Sequence, residues 1–398
     1  MITNFDYYNP TRISFGTGNI NGLGEKIKIY GKKALIVCTG NFFIESGLTD
    51  KVQSILREAS IASEVYTDVS PNPLTTEIDR GADLGRKKDC DIIIGLGGGS
   101  AIDAAKAIAV AIGHEKPIWK FYPGSKGIEE EVTSKTLPII AITTTSGTGS
   151  HMTCFSVLTN PENKEKPGLG NEFLFPKVSI VDPELMLTMP PKITAATGFD
   201  VLAHAIEAYT SRISTPITDL YCEESMRLVA KYLVKAVNNG KDIESREMMA
   251  LADTLAGMAI TIAVITLCHS ISHVICGIYN LVHGESLAAM TPYTIGFSMN
   301  ENPLKFAKIG KILNKQGSGE IDEITDKNKD IYLEKTVNSV KKLIKDISLD
   351  IPLSKQGVKK SDFVLIASET LGYMANGVAL DLREVSEKDL IDILEKAY

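Results

Sequence analysis

The chain predicts an N-terminal α/β domain built on a mainly parallel sheet, residues 1–185, followed by an all-α domain, residues 186–398. Two observations carry this division. Up to about residue 185, short β-branched runs alternate with helical stretches, as in strand–helix–strand units with helices on both sheet faces. Beyond "VDPELMLTMPP" the strand runs stop and only helical periodicity remains. A length of 398 residues also suits two domains better than one core.

The elements follow in order. "KALIVC" (33–38), "CDIIIGLG" (90–97), "LPIIAIT" (137–143) and "KVSIVD" (177–182) read as buried strands, and "TDKVQSILREAS" (49–60) as a connecting helix. In the second half, helical patterns cover 199–211, 216–237 ended by Gly240, one long helix over 243–275, 303–314 and 328–347. Ile331, Val337, Val340, Ile344 and Ile347 form the apolar stripe of the last. "KQGSGEIDEITD" (315–326) reads as a polar loop. The apolar run 256–279 is long enough to raise a membrane span, but two histidines and two serines make a lipid-facing helix costly. It reads as a core helix, and no membrane partner is expected.

Composition sets further bounds. A hydrophobic fraction of 44% and a charged fraction of 23% are those of a soluble globular chain. A net charge of −7 argues against a nucleic-acid partner, since phosphate contacts need clustered Lys and Arg. The first residues carry no charged-then-apolar leader, so a cytoplasmic location is expected. The six cysteines are scattered, with no C-x-x-C pair, and read as reduced packing residues.

Two glycine-rich turns follow strands. In "DIIIGLGGGSAIDAAKAIAVAIG" (91–113), Gly97, Gly98 and Gly99 let the backbone approach a ligand closely. Ser100 and the first helical N–H groups then offer donors at the positive helix end, a seat for phosphate. Ser100 stands where the usual dinucleotide fingerprint has its third glycine. The same turn could also serve only its own geometry. A second donor-rich turn, "TTTSGTGS" (143–150), ends the strand "LPIIAI". Two such turns on one sheet suit a dinucleotide lying across its carboxyl edge, in a Rossmann-like arrangement. No G-K-[ST] occurs, so phosphoryl transfer is disfavoured.

The histidines carry the second chemical signal. Three of the six, His269, His273 and His283, fall within fifteen residues, and His204 stands four after Asp200. Spacing of i, i+4 puts Asp200 with His204, and His269 with His273, each on one helix face. Gly277 and Asn280 are expected to break the helix and leave His283 on a loop. Nitrogen and oxygen donors without thiolate suit Fe(II), Zn(II) or a similar ion. Any one of these residues alone would read as a hydrogen-bonded core histidine. D-x-x-x-H with H-x-x-x-H and a further H-G in one helical domain favours a metal.

The chain resembles the iron-containing alcohol dehydrogenases, the family of lactaldehyde, propanediol and butanol dehydrogenases, nearly end to end. The likeness is carried by "RISFGTG", "SPNPL", "GGGSAIDAAKAIA", "TTTSGTGS", "VDPELMLTMPP", "GFDVLAHAIEAY" and "HSISHVICGIYNLVHGES". It implies a dehydroquinate synthase-like fold with a dinucleotide-binding and a metal-binding domain. It implies reversible hydride transfer between NAD or NADP and a small alcohol or aldehyde, in a homodimer or larger homo-oligomer. It implies a metal held by Asp200, His204, His269 and His283, with Fe(II) first and Zn(II) second, and His273 beside the nicotinamide as a proton-transfer group. The cofactor residues it carries over are Asn72, Gly97, Gly98, Gly99, Ser100, Thr144, Thr148, Thr153 and Lys166. Family members that favour NAD often carry Asp after the first strand; here Thr39 stands there, so NADP is expected over NAD, the 2′-phosphate being at least tolerated.

Three positions depart from the family pattern. His151 replaces a usual Glu, Val274 a usual Pro, and "ALDLREVS" (379–386) an Asn-Pro-Arg-Pro-like segment. Two other readings compete with this one. A dehydroquinate synthase-like lyase would act on a phosphorylated substrate, yet only Arg212 lies close in sequence to the metal motifs. A non-catalytic nucleotide-binding protein would not need open-site ligands.

Overall fold

The computed structural model describes residues 4–125, 127–314, 324–325 and 327–398. Most of the polar stretch 315–326 therefore lies outside the described residues. The chain divides into two compact units. One comprises Asn9–Thr145 and Ser150–Met186; the other comprises 4–8, Ser146–Gly149 and Leu187–Tyr398.

The first unit is a parallel sheet wrapped by helices. Its strands are β1 (Arg12–Phe15), β2 (Lys33–Val37), β3 (Ala62–Tyr66), β4 (Ile92–Gly97), β5 (Ile139–Thr143), β6 (Phe155–Val157), β7 (Gly168–Gly170) and β8 (Val178–Val181). Six of them pair in parallel in the order β1-β8-β5-β4-β2-β3, while β6 and β7 form a separate antiparallel pair. The helices are α1 (Leu23–Ile27), α2 (Phe42–Glu45), α3 (Leu48–Glu58), α4 (Thr75–Lys87) and α5 (Gly99–His114).

Alternate residues of each central strand serve opposite faces. Leu35, Val37, Ile93 and Ile139 join Ile78 of α4 and Ile108 of α5 in one buried cluster. Ala34, Ile36, Ile94, Ile142 and Ile180 join Leu23 of α1 and Leu56 of α3 in another. Both faces are covered, so these strands read as unbroken apolar runs. The four strands expected from sequence are all present. β1 and β3 were not expected: they are the sheet edges, and their burial is broken by exposed positions.

A buried lysine fixes the loop after β5. Lys106 of α5 is fully buried and donates to the carbonyls of Ser150 (2.8 Å), Thr153 (2.9 Å) and Phe155 (2.6 Å). Asp103, one turn earlier, accepts from Ser150 Oγ at 2.5 Å and from the Val157 amide at 3.0 Å. Burial pulls the Lys106 ammonium down to about 8.

His151 in the same loop is buried, and burial, helped by the Lys106 charge, lowers its imidazole from 6.5 to about 3. The folded chain thus holds it neutral where the unfolded chain takes up a proton. Its contribution is complete above pH 6.5 and is lost as pH falls toward 3. In this window His151→Gln should remove about 1.4 kcal/mol per pH unit from the slope of stability against pH. Urea unfolding of both proteins between pH 7.5 and pH 5 checks this; equal slopes would refute it.

The second unit is helical: α6 (Pro191–Thr210), α7 (Pro216–Asn238), α8 (Ile243–Ala263), α9 (Leu267–Tyr279), α10 (His283–Ser298), α11 (Pro303–Asn314), α12 (Lys329–Asp346), α13 (Phe363–Gly372), α14 (Ala375–Val378) and α15 (Glu387–Ala397). Proline begins α6 and α7, where its missing N–H costs nothing. Thr215 caps α7 by accepting from the Thr218 amide.

Three expectations are corrected here. The single helix over 243–275 is two, α8 and α9, bent by 99°. The break is at Val264, whose φ of +59° ends α8. Gly277 does not break α9, which runs on to Tyr279 and ends at Asn280 in the left-handed conformation. His283 is not on a loop; it is the first residue of α10. Helices α10 and α13 to α15 were not expected. Among the described residues no single helix is long and apolar enough to cross a membrane, and the one bent pair that passes by composition is α8 with α9. Both contribute to the buried core of the unit, through residues such as Met249, Ala256, Ile271 and Ile275.

Candidate active site and metal centre

In the α/β unit, the strand order places a topological switch between β2 and β4. The chain moves outward from β2 to β3, then returns to the other side of β2. Ligands bind outside the carboxyl ends of strands at such a point. Thr39 lies two residues beyond β2, half-buried, and Gly97 ends β4. Gly97 has φ +149°, and a Cβ there would sit 2.8 Å from the Ala101 Cβ, so only glycine fits. Gly99 and Ser100 open α5.

The two turns meet. The Thr144 amide donates to the Gly97 carbonyl at 3.0 Å, and a Cβ on Gly98 would lie 2.9 Å from Thr145 Oγ1. Asn72 and Lys166, 94 residues apart, are also brought together: Lys166 Nζ donates to Asn72 Oδ1 at 2.6 Å. Thr153 is buried and held by Lys106. Thr148 is half-buried and belongs to the helical unit with Ser146, Gly147 and Gly149.

The helical unit collects the histidines. α6 supplies Asp200 and His204, α9 supplies His269 and His273, and the start of α10 supplies His283. His269 Nε2 lies 3.2 Å from Asp200 Oδ1, and His283 Nε2 lies 3.9 Å from the same oxygen. One ligand atom from each of Asp200, His269 and His283 lies within 4.8 Å of the others. His204 is outside that trio but touches it: its ring stacks on His269 with centroids 4.3 Å apart. Its Nδ1 lies 3.5 Å from Asp200 Oδ1 and 3.3 Å from the Gly147 carbonyl. His273 is buried, its ring centroid 5.5 Å from His283 and 6.3 Å from His269.

Electrostatics fit a cation. Two buried carboxylates, Asp200 and Glu207, face the imidazoles. Burial opposes charge on His269, but the Glu207 and Asp200 carboxylates outweigh it and raise that imidazole to about 9. Burial lowers the stacked His204 to about 4 despite Asp200. Two buried carboxylates beside the imidazoles favour a cation here, which a divalent ion would supply directly. One carboxylate and several imidazoles form a donor set for Fe(II) or Zn(II).

Three groups escaped the sequence reading. Glu207 accepts from His269 Nδ1 at 2.8 Å. Its position was legible, because Asp200, His204 and Glu207 share one face of α6 at i, i+4 and i+7. Asp253 of α8 accepts from the Gly149 amide at 2.8 Å, and burial raises its carboxyl to about 7. An acid in the apolar "MALADTLAGMA" was the available signal. Ser272 Oγ lies 2.9 Å from His283 Nδ1.

Comparison with known proteins identifies the family. The model for iron-containing alcohol dehydrogenase matches residues 10–183, and that for the C-terminal domain of the Fe-containing alcohol dehydrogenase family matches residues 194–398. The NAD-dependent methanol dehydrogenase of Bacillus methanolicus is 35% identical, over 92% of each chain. The NADPH-dependent butanol dehydrogenase of Clostridium saccharobutylicum is 33% identical, over 98% of this chain and 97% of its own. The crystal structure of an archaeal halo-thermophilic alcohol dehydrogenase from a Red Sea brine pool superposes with a TM-score of 0.94 at 36% identity, covering 100% of both chains. With both halves matched by their own family models, this chain belongs to the iron-containing alcohol dehydrogenase family.

Proposed function

We propose that this protein moves a hydride reversibly between NAD(P) and a small alcohol or the corresponding aldehyde or ketone. The observation that carries the reading is the convergence of Asp200, His269 and His283, with His204 stacked on His269 and His273 beside His283, the residues that the resemblance implies for the metal and proton-transfer roles. Asp200, His204, His269 and His283 would hold Fe(II), or alternatively Zn(II). Held there, the ion would supply Lewis acidity toward a substrate oxygen, and the dinucleotide would supply the hydride donor or acceptor. Asp200 offsets part of the ion's charge. His273 stays out of the ligand set and holds or relays the alcohol proton, a task suited to an imidazole. Gly97 to Ser100, Thr144, Thr148, Thr153, Asn72 and Lys166 hold the dinucleotide. The working form is a cytoplasmic homo-oligomer.

The lyase reading loses its one basic residue. The Arg212 side chain donates to the backbone carbonyls of Asp381 and Leu382, so it is committed within the helical unit. The decisive assay follows NAD and NADP reduction over a panel of short alcohols, before and after chelation and with Fe(II) or Zn(II) restored. Absence of turnover with every alcohol in metal-loaded protein would sink the proposal.

Thr39 sets the cofactor preference in this reading. With no carboxylate after β2, a 2′-phosphate meets no repulsion, and NADP is accepted. Thr39→Asp places a charge there; at about 4 Å the repulsion is roughly 1–4 kcal/mol. The NADP-to-NAD ratio of kcat/KM should fall at least about fivefold. An unchanged ratio would remove Thr39 from the cofactor site.

A further inference from the structure

The three imidazoles beside Asp200 are each held at Nδ1 by a different kind of partner. His204 Nδ1 faces the Gly147 carbonyl at 3.3 Å, and His283 Nδ1 faces Ser272 Oγ at 2.9 Å. Both partners are uncharged. His269 Nδ1 instead donates to Glu207 Oε2, a carboxylate, at 2.8 Å. Glu207 is 5% exposed and His269 is 1% exposed, so water screens this pair little.

Glu207 also holds the backbone that carries His269. Its Oε2 accepts from the Thr266 amide at 2.9 Å and its Oε1 from the His269 amide at 3.0 Å. Thr266 precedes α9 and makes no side-chain cap of its own. A carboxylate from α6 therefore closes the first turn of α9, where negative charge is favoured. Capping alone would account for those two bonds. It does not account for the third, to the ring.

We propose that Glu207 is a positioning residue for the metal: it fixes His269 as the Nδ1–H tautomer, aims Nε2 at the ion beside Asp200, and makes that nitrogen the most strongly donating of the three. This rests on the metal reading given above. The structural support is the line Glu207–His269–Asp200, in which His269 Nε2 stands 3.2 Å from Asp200 Oδ1. A ligand imidazole whose other nitrogen is bound to a carboxylate is both oriented and more basic.

The test uses the full-length protein stripped of metal and titrated with Zn(II) against a competing chelator, for wild type, Glu207→Gln, His269→Ala and the double variant. Circular dichroism checks that each is folded. Glu207→Gln should bind Zn(II) roughly 10–100-fold more weakly than wild type. The double variant should bind as His269→Ala does, because Glu207 acts through that ring. Equal losses in both backgrounds would reduce Glu207 to a helix cap, and no loss at all would overturn the proposal outright. A wild type that takes up no Zn(II) would instead bring down the metal reading itself. Should Glu207→Gln not fold, imidazole ¹⁵N spectra of the wild-type zinc form decide. The His269 signals, assigned by their loss in His269→Ala, should show the proton on Nδ1 and the metal on Nε2; the reverse overturns the assignment.

Discussion

Asp200→Ala is expected to lose its metal and its activity while remaining folded. The carboxylate is 3% exposed and its Oδ1 is the common neighbour of the His269, His204 and His283 rings. Removing it leaves the proposed ligand set as imidazoles alone, with Glu207 as the one remaining carboxylate, bound to the far side of His269. If the ion contributes about 4 kcal/mol to the transition state, its loss lowers kcat/KM roughly 10³-fold. The fold should survive, because the buried apolar residues of α6 to α9 do not depend on this side chain. Metal analysis of purified variant, with circular dichroism beside it, gives the answer. Metal at wild-type stoichiometry would remove Asp200 from the ligand set.

The second large effect separates two neighbouring histidines. His273→Ala should keep its metal and lose about 10²–10⁴-fold in rate, the usual cost of removing a proton-transfer group. Its pH–rate profile should change as well. His283→Ala should lose the metal itself. His283 Nε2 lies 3.9 Å from Asp200 Oδ1, and it is His283, not His273, that the resemblance assigns to the ligand set. A catalytic ion also needs an open position for substrate oxygen, which a fifth protein ligand would crowd. Metal content of the two variants is the measurement. A metal-free His273→Ala, or a metal-replete His283→Ala, would invert the roles.

What could be read from sequence follows from how each element buries its residues. The central strands were legible because both of their faces are covered, leaving runs such as "DIIIGLG" without polar interruption. β1 and β3 were missed because edge strands alternate with solvent. α10 was missed because "HGESLAAMTPYTIGFS" carries an internal Pro292 and no apolar stripe. The i, i+4 pairing of Asp200 with His204 and of His269 with His273 was legible because such pairs survive any helix packing. Glu207 was not picked out, since its partner lies 62 residues away and only tertiary structure joins them. The inclusion of Ser146–Gly149 in the helical unit had no local signature either.

Neither Gly nor Pro announces the bend between α8 and α9. Val264 sits at φ +59° with a β-branched side chain, a conformation that costs on the order of 1–3 kcal/mol. That strain persists because the helices on either side hold it. Without the bend, α9 would continue the axis of α8 and carry His269 and His273 away from α6. Position 264 therefore exerts leverage on the chemistry without offering it a single donor atom. A lineage drifting there toward a smoother, more continuous helix would gain local stability and surrender its metal. Sequence surveys that weigh only ligand residues would then count such a chain as intact.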